Sequence, residues 1–244
     1  MKNKQVLSII NLLGFIFLLM ASFVFARTGN MFNTNEIMPI FMPAPYAFSI
    51  WILIYILLGI WVIKGFFANT DEEVMYEDVG YWFVVCMIFT GLTILVPTKI
   101  SPIFIIIALV TALVIYTIIS KSYVSKLFKV PFSFLTAWLS VATIVNISLV
   151  LKMMGITEIF GIGEVGWAII MLVIGTLIAI LFTITQMDNI YALVFIWGYV
   201  AIAIHNKVIQ SVVRTSIIMC VILAITIGYN LYRCRVKNYN TIYR

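Results

Sequence analysis

The feature that most constrains this chain is a series of eight apolar runs, each about as long as a helix that crosses a bilayer. A membrane-spanning helix needs about 20 mostly apolar residues, and charges, prolines or glycines separate the runs here. The runs cover residues 5–26, 46–67, 79–97, 100–120, 132–152, 166–186, 189–205 and 210–232. This pattern predicts an all-α, polytopic transmembrane bundle of about eight spans.

The composition excludes the main alternative classes of protein. Of the 244 residues, 64% are hydrophobic and 10% are charged, whereas a soluble domain is about 45–50% apolar and about 25% charged. A soluble enzyme, a disordered chain and a disulfide-stapled secreted domain are therefore excluded. The longest linkers, at about 27–45, 68–78 and 121–131, are too short for a soluble domain. The acidic cluster within 68–78 is expected to be a solvated loop.

The distribution of basic residues predicts how the chain is oriented. The first run is longer than the apolar part of a signal peptide, so we expect it to be retained as a helix. With the N-terminus inside, ten of the 15 basic residues lie on the inner side and five on the outer side. Since Lys and Arg favour cytoplasmic loops, we expect a multi-pass protein of the cell membrane with both termini in the cytoplasm.

Few residues are suited to chemistry by side chains. The centres of the runs contain no carboxylate, although proton-coupled transport usually needs a buried ionisable group. His205 has no Cys or His neighbour in sequence, and Cys86, Cys220 and Cys234 are scattered. We therefore expect reduced cysteines, no metal site, no catalytic residues, no resident cofactor, no enzymatic activity and no nucleic-acid partner.

The start of the second run combines prolines and aromatic residues. Two prolines are expected to hold an extended loop and release it into a helix near residue 46. Phe48, Trp51 and Tyr55 would then share one helical face, which could be an interfacial aromatic belt or the wall of a pocket. The belt is the expected role of Tyr46, while packing and a pocket are both open for Trp51 and Tyr55.

The fifth run carries a second pattern of large, small and polar residues. Trp138, Ala142 and Asn146 recur every four residues and share a face, with the small Ala142 between the two larger side chains. A buried asparagine needs a hydrogen-bond partner, which can be another helix or a ligand. Both roles are open for Asn146.

These two patterns, PxPYxFxIWxxIY and WxxxAxxxN, resemble the translocator protein family, also called tryptophan-rich sensory proteins or TspO/MBR. The resemblance covers residues 1–155 and implies a five-helix core, followed by three additional helices in 156–244. The chain departs from the family in these extra helices, in the missing Asn-x-x-Trp of the third run, and in the seven-residue spacing of Pro131 and Trp138.

The resemblance implies a pocket that binds a tetrapyrrole, a sterol or a drug-like aromatic molecule, and makes porphyrin or haem a candidate ligand. The binding residues that it implies are Pro43, Pro45, Tyr46, Phe48, Trp51, Tyr55, Trp138, Ala142 and Asn146. We therefore expect the protein to bind a flat apolar molecule for sensing or carriage. Membrane lipid is expected to surround the protein, and formation of a homodimer remains open.

Two other functions remain open at this point. A small secondary transporter of an uncharged or apolar solute would be favoured by two related halves, for which the Ile50-Trp51 and Ile196-Trp197 pairs are a faint indication. A structural or assembly subunit would bind a protein partner and no small molecule.

Overall fold

The computed structural model describes residues 2–28 and 38–242, with side chains described over 5–24 and 38–235. Residues 29–37 of the predicted first linker lie outside this range. Within it, nine α-helices and one short hairpin follow one another. They are α1 (Lys2–Thr28), α2 (Ile50–Phe66), α3 (Thr70–Val79), α4 (Trp82–Leu95), α5 (Ser101–Lys121), α6 (Val130–Met153), β1 (Glu158–Ile159), β2 (Ile162–Gly163), α7 (Glu164–Gln186), α8 (Asn189–His205) and α9 (Gln210–Ile242), with 3₁₀ helices at Pro45–Ser49 and Lys126–Lys129.

The helices confirm the predicted all-α, polytopic architecture. In the described part of the chain, six helical segments are long and apolar enough to cross a membrane. The pair α3 and α4, bent by 51° at the break between them, raises the number to seven if it forms one span. The 17-residue α8 is a further, shorter apolar helix, so the figure of about eight spans stays a prediction.

Helix α2 shows why these elements are suited to a membrane. One face is buried in the protein through Ile54 and Leu58, both 0% exposed. On another face, Ile52, Ile56 and Ile60 recur at every fourth residue and are 63%, 56% and 55% exposed. A soluble helix places polar residues on its outer face, whereas an apolar outer face is suited to lipid.

The chain divides into two compact units. The first unit comprises Met1–Ile37 and Ser49–Val150, and the second comprises Met38–Phe48 and Leu151–Arg244. The first unit therefore contains α1 to α5 and nearly all of α6. The second unit contains α7 to α9 and the segment 38–48, which precedes α2 in sequence.

Small residues bring the helices of the first unit together. A Cβ at Gly14 of α1 would lie 3.3 Å from the Cα of Val84 in α4. On α4, a Cβ at Gly91 would lie 2.8 Å from Cε1 of Phe17. Glycines at such positions allow backbones to approach closely, as is common between membrane helices.

Four buried aromatic side chains join α2, α3, α4 and α6 in the core of the first unit. We call them the Trp61 cluster: Trp61, Tyr76, Phe83 and Phe132. The Trp61 ring lies 4.4 Å from that of Tyr76, 4.8 Å from that of Phe83 and 5.2 Å from that of Phe132, measured between centroids. The Tyr76 hydroxyl also donates to the Trp61 carbonyl oxygen at 2.5 Å. The cluster thus combines apolar burial with one internal hydrogen bond.

The prediction of a solvated loop at 68–78 was wrong, because most of this segment forms α3. Asn69 caps the helix: its side chain accepts from the Glu72 backbone N–H at 3.0 Å, and the Glu72 carboxylate accepts from the Asn69 N–H at 2.9 Å. This capping box satisfies two N–H groups that a helix start otherwise leaves unpaired. Acidic residues in the first turn also interact favourably with the positive end of the helix dipole.

Two further local features differ from the sequence-based predictions. The α-helical part of α2 begins at Ile50 rather than near residue 46, because Pro45–Ser49 forms a 3₁₀ turn. A hairpin that was not predicted pairs Ile159 with Ile162. Its two turn residues, Phe160 and Gly161, have φ angles of 56° and 76°, as a two-residue turn of type I′ requires.

The second unit is held together by contacts among α7, α8 and α9. The Tyr199 hydroxyl on α8 donates to the Leu172 carbonyl oxygen on α7 at 2.9 Å. The Asn230 side chain on α9 donates to the Thr183 carbonyl oxygen at 3.3 Å and to Asn189 Oδ1 at 2.7 Å. Polar side chains therefore bridge all three helices within an otherwise apolar unit.

Candidate ligand-binding site

Trp51 and Tyr55 form a stacked pair on α2, one helical turn apart. Their ring centroids are 5.4 Å apart and their planes are inclined by 26°. Both residues are only partly buried, so the pair is not fully enclosed by the rest of the protein. The pair supplies the flat aromatic surface that the sequence motif predicts.

Tyr55 also reaches across to α1. Its hydroxyl lies 2.7 Å from Ser22 Oγ, and Ser22 Oγ donates to the Leu18 carbonyl oxygen at 2.9 Å. Because a serine hydroxyl has one hydrogen, the Tyr55 hydroxyl must be the donor to Ser22. The phenol oxygen therefore offers a ligand its lone pairs rather than its hydrogen.

The three residues predicted on α6 differ in burial. Trp138 is 1% exposed and is packed inside the first unit, while Ala142 and Asn146 are partly exposed. Ser101 at the start of α5 lies with its Oγ 2.9 Å from Asn146 Oδ1. Asn146 thus bonds to another helix, one of the two roles that the sequence left open, and its amide NH₂ group is the part that could donate to a ligand.

The remaining four predicted residues lie in the second unit. Pro43 is buried, Phe48 is partly buried, and Pro45 and Tyr46 are exposed. The Tyr46 ring lies edge-on to the Trp197 ring of α8, with centroids 5.3 Å apart. The structure therefore divides the nine predicted residues between the units, with Trp51, Tyr55 and the three α6 residues in the first.

Segment 38–48 is fixed to the second unit by its backbone. The Ala44 N–H donates to the Ala201 carbonyl oxygen at 3.0 Å, and the Trp197 indole N–H donates to the Ala47 carbonyl oxygen at 3.0 Å. Asn206 Nδ2 donates to the Ile40 carbonyl oxygen at 2.7 Å. These contacts align the segment along α8.

One carboxylate adds to this attachment. Glu164, in the first turn of α7, accepts from the Ile40 N–H at 2.9 Å through Oε1. Its other oxygen, Oε2, is paired with the ammonium group of Lys152. Lys152 and Glu164 each lie at the end of an apolar run. Their charges pair with each other next to segment 38–48.

Several residues of this arrangement were not singled out by the sequence analysis. Ser22 and Ser101 are the partners of Tyr55 and Asn146, but single serines in apolar helices give no local signal of what they contact. Trp197 appeared only as half of a dipeptide, and its role depends on a residue 150 positions away.

Comparison with known proteins identifies a family. Neither the curated proteins nor the solved structures give a significant match. A family model described as TSPO-like protein matches residues 5–229. The match includes α7, α8 and most of α9, so it extends well past residue 155. Together with the helical bundle, this match shows that the chain is a multi-pass membrane protein that belongs to the TSPO-like protein family.

Proposed function

We propose that this protein binds a flat apolar small molecule of tetrapyrrole or sterol type within its first unit, for sensing or carriage. The single observation that carries the proposal is the stacked, partly buried pair of Trp51 and Tyr55, whose rings lie 5.4 Å apart. The proposal includes insertion in the cell membrane with both termini in the cytoplasm. Its mechanism is recognition rather than catalysis.

The chemistry of the pair indicates what kind of ligand it would favour. Ring faces attract flat, polarizable molecules, and each aromatic contact contributes about 0.5–1.5 kcal/mol beyond the burial of area. Since the Tyr55 hydroxyl is committed as a donor to Ser22, its oxygen would accept from a ligand N–H or O–H group. A pyrrole N–H and a sterol hydroxyl both meet this requirement.

The first prediction concerns ligand binding by the purified protein in detergent. Protoporphyrin IX should quench the intrinsic tryptophan fluorescence saturably, because the ligand would lie against Trp51. In the Trp51→Phe/Trp138→Phe variant, the saturable part should fall at least fivefold in amplitude or affinity. Trp51→Phe alone should give most of this loss, since Trp138 is packed inside the unit.

A matched control separates binding from partitioning into the micelle. Trp167→Phe removes one indole from the second unit, where its N–H donates to the Ile159 carbonyl oxygen, and should keep the saturable quenching. Equal, linear quenching in all the proteins would show that porphyrin only enters the detergent. That result would overturn the proposed porphyrin site.

A small secondary transporter is the second candidate function. It is favoured by the 51° break between α3 and α4, since interrupted helices are typical of transporters. Saturable uptake of an apolar solute into vesicles that contain the protein, absent from empty vesicles, would favour transport over sensing.

A further inference from the structure

A chain of two hydrogen bonds joins the stacked pair on α2 to the backbone of α1. The Tyr55 hydroxyl lies 2.7 Å from Ser22 Oγ, and Ser22 Oγ donates to the Leu18 carbonyl oxygen at 2.9 Å. Since the one hydroxyl hydrogen of Ser22 is directed at Leu18, the hydrogen between Ser22 and Tyr55 belongs to Tyr55. The chain therefore has a direction, from the phenol through the serine to a carbonyl group of α1.

Close packing of α1 against α2 keeps Ser22 opposite Tyr55. Phe15 and Ser22 are seven residues apart on α1 and so lie on nearly the same helical face. On α2, Gly59 follows Tyr55 by one turn, and a Cβ at Gly59 would lie 3.4 Å from Cε1 of Phe15. Leu18, between the two α1 residues, is 1% exposed. The contact of the two helices thus extends along this face and fixes how α1 is rotated.

The Tyr55 ring is also restrained by Trp51. Their planes are inclined by 26° and their centroids are 5.4 Å apart, so a rotation of the phenol would break the stack as well as the bond to Ser22. The phenol oxygen therefore has a fixed position beside the aromatic surface. With its hydrogen directed at Ser22, this oxygen presents only lone pairs to a further molecule.

The apolar surroundings make this direction important for a ligand. Ser22 and Tyr55 lie within the candidate membrane spans Gln5–Val24 and Pro45–Phe66. A polar atom that enters such surroundings loses its bonds to water, and this costs free energy unless a new hydrogen bond replaces them. A ligand hydroxyl or N–H group regains a bond by donating to Tyr55. A ligand oxygen without a hydrogen regains none.

We infer that Ser22 is a positioning residue that holds Tyr55 as a hydrogen-bond acceptor, and that the site therefore selects flat apolar ligands with a hydroxyl or N–H donor over those with acceptors alone. Ser22 acts through Tyr55 and sets the polarity of the one polar contact that the stacked pair offers. This inference rests on the proposed function and narrows the class of ligand.

The test compares two sterols that differ in one hydrogen-bond donor. Dehydroergosterol has a hydroxyl group, and its methyl ether keeps the oxygen but lacks the hydrogen. Energy transfer from tryptophan to either sterol measures binding to the full-length protein in detergent. The alcohol should bind about five- to tenfold more tightly than the ether, as one hydrogen bond implies. Comparing the ratio of the two affinities between variants in one detergent cancels the partitioning of each sterol into the micelle.

Three variants separate the direction of the bond from packing. Ser22→Ala leaves the Tyr55 hydrogen free to donate to the ether oxygen, so the ether should bind about fivefold more tightly than it does to the unmodified protein. A change that only disturbs packing would weaken both sterols. Ser22→Thr keeps a hydroxyl group and should keep the preference for the alcohol. Tyr55→Phe should abolish the preference by weakening the alcohol alone.

Ser148→Ala is the matched control. Ser148 lies on α6 in the first unit, and its Oγ donates to the Ile144 carbonyl oxygen at 2.8 Å. The variant removes the same group as Ser22→Ala from another apolar helix, without a bond to an aromatic hydroxyl among the described contacts. Both sterol affinities should be unchanged.

Several results would overturn the inference while the proposed function stands. Saturable binding of both sterols without a preference would show that the phenol sets no selection, and tighter binding of the ether would show that Tyr55 donates to the ligand. The same preference in Ser22→Ala would remove Ser22 from this role. Binding of protoporphyrin IX but of neither sterol would show that a hydroxyl donor does not confer binding. Saturable binding of none of the three molecules would instead remove the proposed site itself.

Discussion

In α7, Gly175 provides the space that the Tyr199 hydroxyl of α8 occupies. A Cβ at this position would collide with Tyr199 Oη and lie 3.2 Å from Cε1 of Phe195. The hydroxyl itself donates to the Leu172 carbonyl oxygen, so it cannot move away without loss of a buried hydrogen bond. The glycine is therefore required by close packing, since its φ angle is that of an ordinary helix.

The substitution Gly175→Ala should destabilise the protein by about 1–3 kcal/mol, the usual cost of overpacking a well-packed site. The double variant Gly175→Ala/Tyr199→Phe should recover part of this loss, because it removes the oxygen atom that collides with the new methyl group. Melting temperatures in detergent would compare the single and double variants.

Gly228 on α9 gives a matched control, since a Cβ there has no atom within 4 Å. Gly228→Ala should be neutral or stabilise by up to about 1 kcal/mol, as alanine favours a helix over glycine. Equal melting temperatures for Gly175→Ala and Gly228→Ala would contradict this account of the α7–α8 contact.

At the scale of residues, the sequence indicates which side chains are suited to a site but not what they contact. The spacing of Trp51 and Tyr55 predicts a shared helical face, and the structure has the two rings stacked. The bond from Tyr55 to Ser22 joins residues 33 positions apart. Which serine lies opposite depends on how α1 is rotated against α2, and apolar residues on every face of both helices leave that rotation unspecified.

Among the elements, segment 38–48 is the one that sequence reasoning describes least well. The sequence predicts a loop that leads into α2. In the structure, however, polar backbone groups of the segment bond to α8 and to the start of α7. Such groups must be satisfied within a membrane protein. The partners lie more than 100 residues away in sequence, which a local pattern cannot reveal.

The hydrogen bonds between segment 38–48 and α8 predict how this segment responds to mutation. Asn206→Ala removes the donor to the Ile40 carbonyl oxygen, so the segment should detach from α8 more often. We expect the backbone amide of Ala44, which donates to the Ala201 carbonyl oxygen, to exchange with deuterium roughly tenfold faster, as a loss of about 1.4 kcal/mol implies.

Gln210→Ala serves as the control for that experiment. Gln210 donates to the Lys207 carbonyl oxygen in an exposed bond and makes no bond to segment 38–48 among the described contacts. Exchange at Ala44 should be unchanged in this variant. An unchanged rate in Asn206→Ala would mean that this side chain does not hold the segment.

The sequence predicts the limits of apolar helices better than it predicts helices made of polar residues. The predicted seventh run, 189–205, coincides with α8, since Asp188 and the residues after His205 interrupt the apolar pattern. Apolar periodicity does not reveal helix α3, because its residues are polar on average. The local feature that indicates it is the spacing of Asn69 and Glu72 in its capping box.

For the whole molecule, the sequence predicts a boundary after residue 155, while the compact units divide after Val150 and assign 38–48 to the second unit. The family match runs across both units, from residue 5 to residue 229. The three last helices are therefore part of what the family shares, and not an appendage peculiar to this chain.

Orientation is a property of the whole chain, and the distribution of Lys and Arg predicts it. In a variant without the native cysteines, Phe160→Cys in the hairpin turn should react with an impermeant thiol reagent added outside intact cells. Tyr123→Cys, between α5 and α6, should react only after permeabilisation. Both positions are suited to labelling because their side chains are 92% and 101% exposed.

The reverse labelling pattern would show that the termini are outside. Labelling of both positions from the same side would instead show an even number of crossings between residues 123 and 160, in which case α6 would not be a single complete span. Glu158→Cys in β1 is a second hairpin position that should react like Phe160→Cys.

The attachment of segment 38–48 to α8 has a consequence for the timing of synthesis. Ala47 and its partner Trp197 are 150 residues apart. At about 5–20 residues per second, the ribosome needs roughly 8–30 s to make the intervening chain. During that interval the segment has left the ribosome while its partner helix does not yet exist. Assembly of the second unit therefore begins late. Segment 38–48, the first part of this unit to be synthesised, cannot bind its partners until α8 has been made.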